Sequence, residues 1–75
     1  MATYERTAEG FASALRSAEW MAKHHGRPYA IFVPRNDANH YATSLPSLVR
    51  SEDVAEGTRA NLIHPDGSEE EMFKS

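Results

Sequence analysis

Residues 7–25 are the one segment of this chain with a clear helical period, and they constrain the fold more than any other feature. At about 100° per residue, one side collects Phe11, Ala14, Leu15, Ala18, Met21, Ala22 and His25. Thr7 can cap the start of the helix, and Gly26 followed by Pro28 can end it. Because Gly10 and two serines lower its intrinsic propensity, this helix needs a second layer to pack on.

Two strand-like segments follow the helix. Residues 29–33 are aromatic and β-branched, lie between Pro28 and Pro34, and are apolar on both faces, so we expect a central strand. Residues 35–39 are rich in turn-forming Asn and Asp, and the alternating pattern resumes over residues 40–45. The pattern predicts that the two strands form an antiparallel hairpin.

The rest of the chain predicts further strands. Residues 46–57 fit either an extension of the second strand or a loop with one short turn, and we favour the loop. Residues 58–64 alternate as a strand does, and Pro-Asp-Gly-Ser at 65–68 is a strong turn signal. Residues 69–73 can return as an edge strand protected by glutamates, or can fray. We therefore predict a single α+β domain over residues 1–75, with one N-terminal helix packed on a three- or four-stranded antiparallel sheet.

Size and composition limit the functional classes. The chain has 75 residues and no cysteine, which excludes disulfides and thiolate metal sites. A domain of this size buries only about 60% of the surface that its unfolded chain exposes, so nearly every large apolar side chain is needed in a core or an interface. No run of about 20 apolar residues could span a bilayer, and residues 1–6 lack the apolar part of a signal peptide. We expect a soluble, cytoplasmic protein that binds no membrane.

Trp20, the one tryptophan, lies on the polar side of the predicted helix together with Ser13, Arg16 and His24. Arg16, Trp20 and His24 are spaced four residues apart, so their side chains form one row in which cation–π contact can occur. Tryptophan and arginine are the residues most enriched at interface hot spots. The first candidate partner-binding site is therefore Ser13, Arg16, Trp20 and His24.

Two other ways of covering Trp20 are open at this point. A part of the same chain can fold over the indole, and the candidates are Tyr4, the loop at 46–57 and the C-terminal tail. A second copy can also cover it, since a self-complementary patch closes a two-fold homodimer. In the first case Trp20 is ordinary core, and in the second the protein is a structural or regulatory dimer.

The negative charge is concentrated in the last third of the chain. The net charge is −3, but residues 1–50 hold six basic and four acidic side chains, whereas residues 51–75 hold two basic and seven acidic ones. Such a surface repels nucleic acid and can attract a basic protein groove, or it can serve only as a solvated edge. The second candidate partner-binding site is Glu52, Asp53, Glu56, Glu69, Glu70 and Glu71.

The sequence contains no recognisable catalytic or metal-binding pattern. Of the four histidines, His24 and His25 are adjacent and point about 100° apart on a helix, so they cannot bind one ion together. No histidine pair has the i, i+4 spacing, and no Gly-x-Ser-x-Gly elbow or thiol offers a nucleophile beside a base. We expect no metal, no cofactor and no enzymatic activity.

Two stretches are similar to nucleic-acid-binding domains. Residues 27–33, Arg-Pro-Tyr-Ala-Ile-Phe-Val, resemble the aromatic strand of RNA-recognition domains but lack its first glycine. One helix followed by three strands resembles the start of a double-stranded-RNA-binding domain, but the second helix with its lysines is missing. These departures and the acidic net charge disfavour nucleic-acid binding, which would use Arg16, Lys23, Arg27 and Arg35.

As a whole, the chain resembles the small accessory proteins of phages and mobile elements, which include anti-CRISPR inhibitors of host defence. The resemblance lies in the overall pattern of a short, cysteine-free αβ chain without enzyme motifs. It implies a non-enzymatic module that occludes a surface of a larger protein or protein complex. Acidic side chains in such a module can stand in for nucleic-acid phosphates, and here they would be those of the second candidate site.

Overall fold

The helix predicted over residues 7–25 is present, and it begins and ends at the expected residues. The computed structural model describes residues 2–74. Along the chain the elements are β1 (Ala2–Glu5), α1 (Ala8–His25), β2 (Tyr29–Phe32), β3 (His40–Ser44), β4 (Arg59–Ile63) and β5 (Glu69–Lys74). Thr7 Oγ1 accepts a hydrogen bond from the Gly10 N–H at 3.0 Å, and Gly26 ends the helix with a φ of 64°.

The sheet has five strands, where the sequence predicted three or four. Its order is β1-β3-β2-β4-β5, and every neighbouring pair is antiparallel. The central strand is β2, as its two apolar faces predicted, and all four of its residues are buried. The unpredicted strand is β1, which has four residues, three of them exposed, and so shows no alternating pattern. Its position comes from long-range pairing with β3, in which Tyr4 lies opposite Tyr41.

The helix packs on one face of the sheet, and we call the contact layer the helix-side core. Small side chains on α1 let it approach closely: Ala14, Ala18 and Ala22 are fully buried. They pack against Tyr29, Ile31 and Ile63 from β2 and β4. No helix in the described part of the chain has the length and apolarity needed to cross a bilayer.

The other face of the sheet is covered by residues 46–57, and we call this layer the loop-side core. The segment is a loop, as predicted, but it contains two short 3₁₀ turns, Pro46–Leu48 and Ser51–Asp53. It contributes two buried side chains to the layer, Val49 and Val54. They pack against Ala30, Phe32, Ala42 and Ala60 of the sheet.

The C-terminal segment forms the predicted edge strand, β5, in a hairpin with β4. Asn61 pairs with Glu71 whereas Ala60 pairs with Phe73, so Met72 is an extra residue in a β-bulge. Because the bulge interrupts the alternation, the consecutive side chains of Met72 and Phe73 both pack against the loop-side core. The strand is thereby attached to the fold by two apolar side chains.

Candidate functional site

Trp20 lies on the solvent side of α1 and is 58% exposed. The three parts of the chain that could have covered it pack elsewhere. Tyr4 packs against the helix-side core, residues 46–57 cover the opposite face of the sheet, and the apolar side chains of β5 pack against the loop-side core. The indole is therefore accessible to solvent, in the position that the helical period gives it.

The indole contacts two histidines of the last helical turn, one face-on and one edge-on. Its ring stacks on His24, with ring centroids 4.0 Å apart and planes inclined by 27°. His25 approaches from the edge, with a centroid distance of 6.4 Å. The Nδ1 atom of His25 in turn lies 2.6 Å from the Tyr29 hydroxyl oxygen, within hydrogen-bond distance. These contacts restrict the orientation of the indole without covering its outer face.

The other half of the predicted row forms a separate pair. Arg16 donates from Nη2 to the Ser13 hydroxyl at 3.5 Å, which is the long limit for a hydrogen bond. The ring contacts of Trp20 within residues 2–74 are with histidines, so its cation–π contact with Arg16 is not among the interactions found in this part of the chain. The structure thus divides the candidate site into two pairs, Ser13–Arg16 and Trp20–His24, on one helix surface. We call this surface, Ser13, Arg16, Trp20 and His24, the Trp20 face.

The surroundings of Trp20 hold charges of both signs, since Asp66 of the β4–β5 turn borders the same hollow as Glu19 and Lys23. Arg16 and Lys23 are both exposed and lie within one helical turn of the indole. The one carboxylate in the same stretch of the helix is that of Glu19, directly before the tryptophan. An exposed aromatic ring with cations beside it is suited to contact a surface that is both apolar and acidic.

The first three residues of the second candidate site, Glu52, Asp53 and Glu56, are exposed on the loop. A carboxylate oxygen of Asp53 accepts a hydrogen bond from the Arg50 N–H at 3.1 Å. Glu52 forms an exposed ion pair with Arg50 at 3.6 Å. Asp53 therefore contributes to the geometry of the second 3₁₀ turn, whereas Glu56 is an exposed side chain beyond the turn.

The other three residues of that site are divided between the two sides of β5. Glu70 lies opposite Leu62, and Glu69 and Glu71 lie on the other side of the strand, opposite Ile63 and Asn61. Two of these carboxylates already contact basic side chains. Oε1 of Glu70 lies 2.9 Å from Nε2 of His64, and Oε1 of Glu71 lies 3.4 Å from Nε of Arg59. The six acidic residues therefore do not form one continuous patch.

The histidines are distributed over separate elements. His24 and His25 are at the end of α1, His40 is 2.8 Å from an Asp37 carboxylate oxygen at the start of β3, and His64 contacts Glu70. Among residues 2–74, no three side chains of the types that bind metal ions come together. Each of the two histidine–carboxylate contacts joins residues close in sequence and stabilises a turn.

Leu48 is a second exposed apolar side chain, and its exposure was not predicted. It is 68% exposed and borders an open groove of about 450 Å³ next to Phe32 and Arg35. The guanidinium of Arg35 donates from Nε and Nη2 to the carbonyl oxygen of Val54, each at 3.1 Å, and fixes one wall. The sequence signal was the neighbouring pair of Leu48 and Val49, of which only one can point into the core. The buried residue is Val49.

No protein-family model, no curated protein and no solved structure shows a significant match to this chain. A functional inference therefore depends on the chain's own surfaces. Of these, the Trp20 face combines a large exposed aromatic ring, a restricted ring orientation and two exposed cations, Arg16 and Lys23, within one helical turn of the ring.

Proposed function

We propose that this protein is a non-enzymatic protein-binding module whose Trp20 face occludes an apolar, acidic patch on a larger protein. The observation that carries the proposal is the 58% exposure of Trp20. A tryptophan side chain buries up to about 250 Å², so covering the exposed part would contribute at most about 3.6 kcal/mol at about 25 cal/mol per Å². In a domain with so few large apolar residues, this is the largest free-energy gain that one side chain can still provide.

The two cations beside Trp20 support an acidic partner. Arg16 and Lys23 flank the indole, and a partner carboxylate would pair with them as the ring is buried. Nucleic acid is the less suitable polyanion, because a tight nucleic-acid complex neutralises about six to ten phosphates. The Trp20 face offers only a few cations, and the net charge of the chain is −3.

The narrower form of the proposal is an inhibitor of a host defence complex, of the anti-CRISPR kind. It is supported by the resemblance of the whole chain to small phage and mobile-element accessory proteins. Inhibition by occlusion needs no catalytic group and requires only that the bound module covers a surface which the target uses. A single helix surface with one aromatic anchor is sufficient for this role.

A homodimer through the same face is the alternative outcome. A two-fold axis at Trp20 would place Arg16, Glu19 and Lys23 of both copies on the shared interface, where four cations of the helix would face only two carboxylates. This arrangement favours a different, acidic partner over a second copy. Sedimentation across a dilution series decides between them, since only the dimer shows a mass that rises with concentration and falls on Trp20→Ala.

The proposal is tested by quantitative affinity capture from a lysate of the native host. The baits are the wild-type protein, Trp20→Ala and the matched control Leu48→Ala, which removes the other exposed apolar side chain from a different face. We expect a protein that the wild type and Leu48→Ala retain and that Trp20→Ala loses by about tenfold or more. With the purified partner, Arg16→Glu should weaken binding, and the affinity of the wild type should fall with salt.

Two results would contradict the proposal. One is a Trp20→Ala protein that keeps its circular dichroism spectrum and binds the purified partner as tightly as the wild type does. The other is a loss of binding only on charge reversal at Glu69, Glu70 and Glu71, which would transfer the function to the second candidate site.

A further inference from the structure

A cavity of about 260 Å³ lies between the start of α1 and the end of the sheet where β2 finishes and β4 begins. It lies where α1, which packs mainly on β1, β2 and β3, makes less contact with β4. The cavity is remote from Trp20, which is in the second half of the helix. It is therefore independent of the function proposed for the Trp20 face.

One side of the cavity is apolar and well packed. The rings of Phe11 and Tyr41 form an edge-to-face pair, with centroids 5.2 Å apart and planes inclined by 66°. Ile31, which is buried in the helix-side core, contributes to the same lining. Such a wall takes a flat or compact apolar group without rearrangement, because its side chains already pack against one another.

The other side of the cavity carries hydrogen-bond donors. Arg6, Arg59 and Asn61 contribute to the lining, and no acidic side chain does. Arg6 is held in place by two bonds to the β2–β3 loop: Nη1 donates to the Ala38 carbonyl and the backbone N–H donates to the Asn39 carbonyl, both at 3.0 Å. A guanidinium has five N–H donors, so this anchoring leaves it able to bind a ligand.

Outside the cavity, Arg59 forms a weak ion pair with Glu71. The carboxylate of Glu71 lies 3.4 Å from Nε of Arg59, and both side chains are more than half exposed. An exposed ion pair of this kind contributes little free energy. A ligand anion can therefore share or replace Glu71 at this guanidinium.

We propose that this cavity binds a small organic monoanion that has a compact apolar body, of the class of aromatic carboxylates. The carboxylate would pair with the guanidinium groups of Arg6 and Arg59, and the body would pack against Phe11 and Tyr41. Pockets for drug-sized ligands have volumes of about 300–1,000 Å³, so a cavity of about 260 Å³ fits a ligand of about ten non-hydrogen atoms. For a ligand of that size in an open site, we expect a dissociation constant of about 1 mM.

The test is a titration of the full chain with benzoate, followed by ¹H–¹⁵N NMR at constant ionic strength. Two matched probes separate the contribution of the aromatic ring from that of the negative charge. Benzamide has the ring without the charge, and inorganic phosphate has the charge without the ring. We expect benzoate to shift the amide signals of Arg6, Phe11, Arg59 and Asn61 in one saturable process. Benzamide and phosphate should each bind at least about tenfold more weakly, since each lacks one half of the recognised chemistry.

The variants Arg6→Gln and Arg59→Gln should each weaken benzoate binding by about five- to tenfold. Arg27→Gln is the matched control, because it removes an exposed arginine at the other end of α1, and it should leave the affinity unchanged. The spectra of the variants without ligand show whether each is folded. The proposal is overturned if benzamide binds as well as benzoate, if the shifts fall outside the cavity, or if neither arginine variant alters the affinity of a folded protein.

Discussion

Gly10 in the first turn of α1 lies against the main-chain carbonyl group of Glu5, the last residue of β1. A β-carbon placed on Gly10 would overlap both the oxygen and the carbon of that carbonyl. The cause is the connection between the two elements, which consists only of Arg6 and Thr7 and contains a hydrogen bond from the Thr7 N–H to the same Glu5 oxygen at 2.9 Å. A strand that turns into a helix within two residues brings the two backbones into contact.

We predict that Gly10→Ala lowers the free energy of unfolding by about 2–4 kcal/mol. Alanine has the better helix propensity, by about 1 kcal/mol, so the steric overlap determines the sign. Gly26→Ala is the matched control. The φ of 64° at this position disfavours a side chain, but among the described residues no atom lies close enough to block the β-carbon. We expect this substitution to lower the free energy of unfolding by about 1 kcal/mol. Urea denaturation measures the free energy of unfolding of both variants. A Gly10→Ala protein at least as stable as the wild type would contradict the close contact.

The same glycine shows how far the sequence determines the fold. Read locally, Gly10 only weakens a helix, and the helix was predicted from its apolar period and its end signals at Thr7 and Gly26. The strands β2 to β5 were also predictable, because each has its own alternation or turn residues. The strand β1 was not, since its place depends on pairing with β3 almost forty residues away. The contact of Gly10 with Glu5 is a consequence of that pairing.

The candidate sites differ in the same way. The helical period was enough to place Trp20 on the polar side of α1, but its exposure also depends on where Tyr4, residues 46–57 and the tail pack, and the sequence left that open. Which of Leu48 and Val49 is buried depends on how the loop lies over the sheet, and no local sequence pattern indicates this. The cavity beside Phe11 was not predictable at all, because Arg6, Tyr41 and Arg59 come from separate segments that only the tertiary fold brings together.

Thr43 offers a test of the helix-side face of the sheet. Its side chain is 2% exposed, and within the described residues its hydroxyl oxygen has no hydrogen-bond partner. A buried hydroxyl without a partner loses its hydrogen bonds to water and gains none in return. We predict that Thr43→Val, which has nearly the same shape, raises the free energy of unfolding by about 1 kcal/mol. Thr43→Ala is the control, since it removes the hydroxyl but leaves a cavity, and a less stable valine variant would contradict the prediction.

Trp20 should contribute little to the stability of the isolated chain. More than half of its surface is in water, and its ring contacts are with side chains of its own helix. We predict that Trp20→Ala changes the free energy of unfolding by less than about 1 kcal/mol. Phe32→Ala, which truncates a buried aromatic ring of the loop-side core, should cost about 3–5 kcal/mol. In the folded wild type, acrylamide should quench the indole fluorescence nearly as well as it does in urea. A large loss of stability on Trp20→Ala would show that the chain itself uses this ring.

The turn between β4 and β5 contains a carboxylate whose titration can be followed separately. The Ser68 hydroxyl donates to Oδ1 of Asp66 at 2.6 Å, and the Ser68 N–H donates to the same oxygen at 2.9 Å. These two bonds, the hydroxyl bond first, lower the pKa of Asp66 below its ordinary value because they favour the ionised form. The carboxylate therefore stabilises the turn more strongly when it is charged.

The sign of the pH dependence follows from this lowered pKa. Ionised Asp66 stabilises the folded state at every pH above the ordinary aspartate pKa of about 3.9, and the contribution is lost as the pH falls through the lower pKa of the folded state. We predict that Ser68→Ala raises the Asp66 pKa toward its ordinary value, as measured by ¹³C NMR of the side-chain carboxyl group, whereas Ser68→Thr keeps the hydroxyl and the lowered pKa. The stability difference between wild type and Ser68→Ala should accordingly be larger at neutral pH than at about pH 2. An Asp66 pKa that is the same in the alanine and threonine variants would show that the hydroxyl is not the cause.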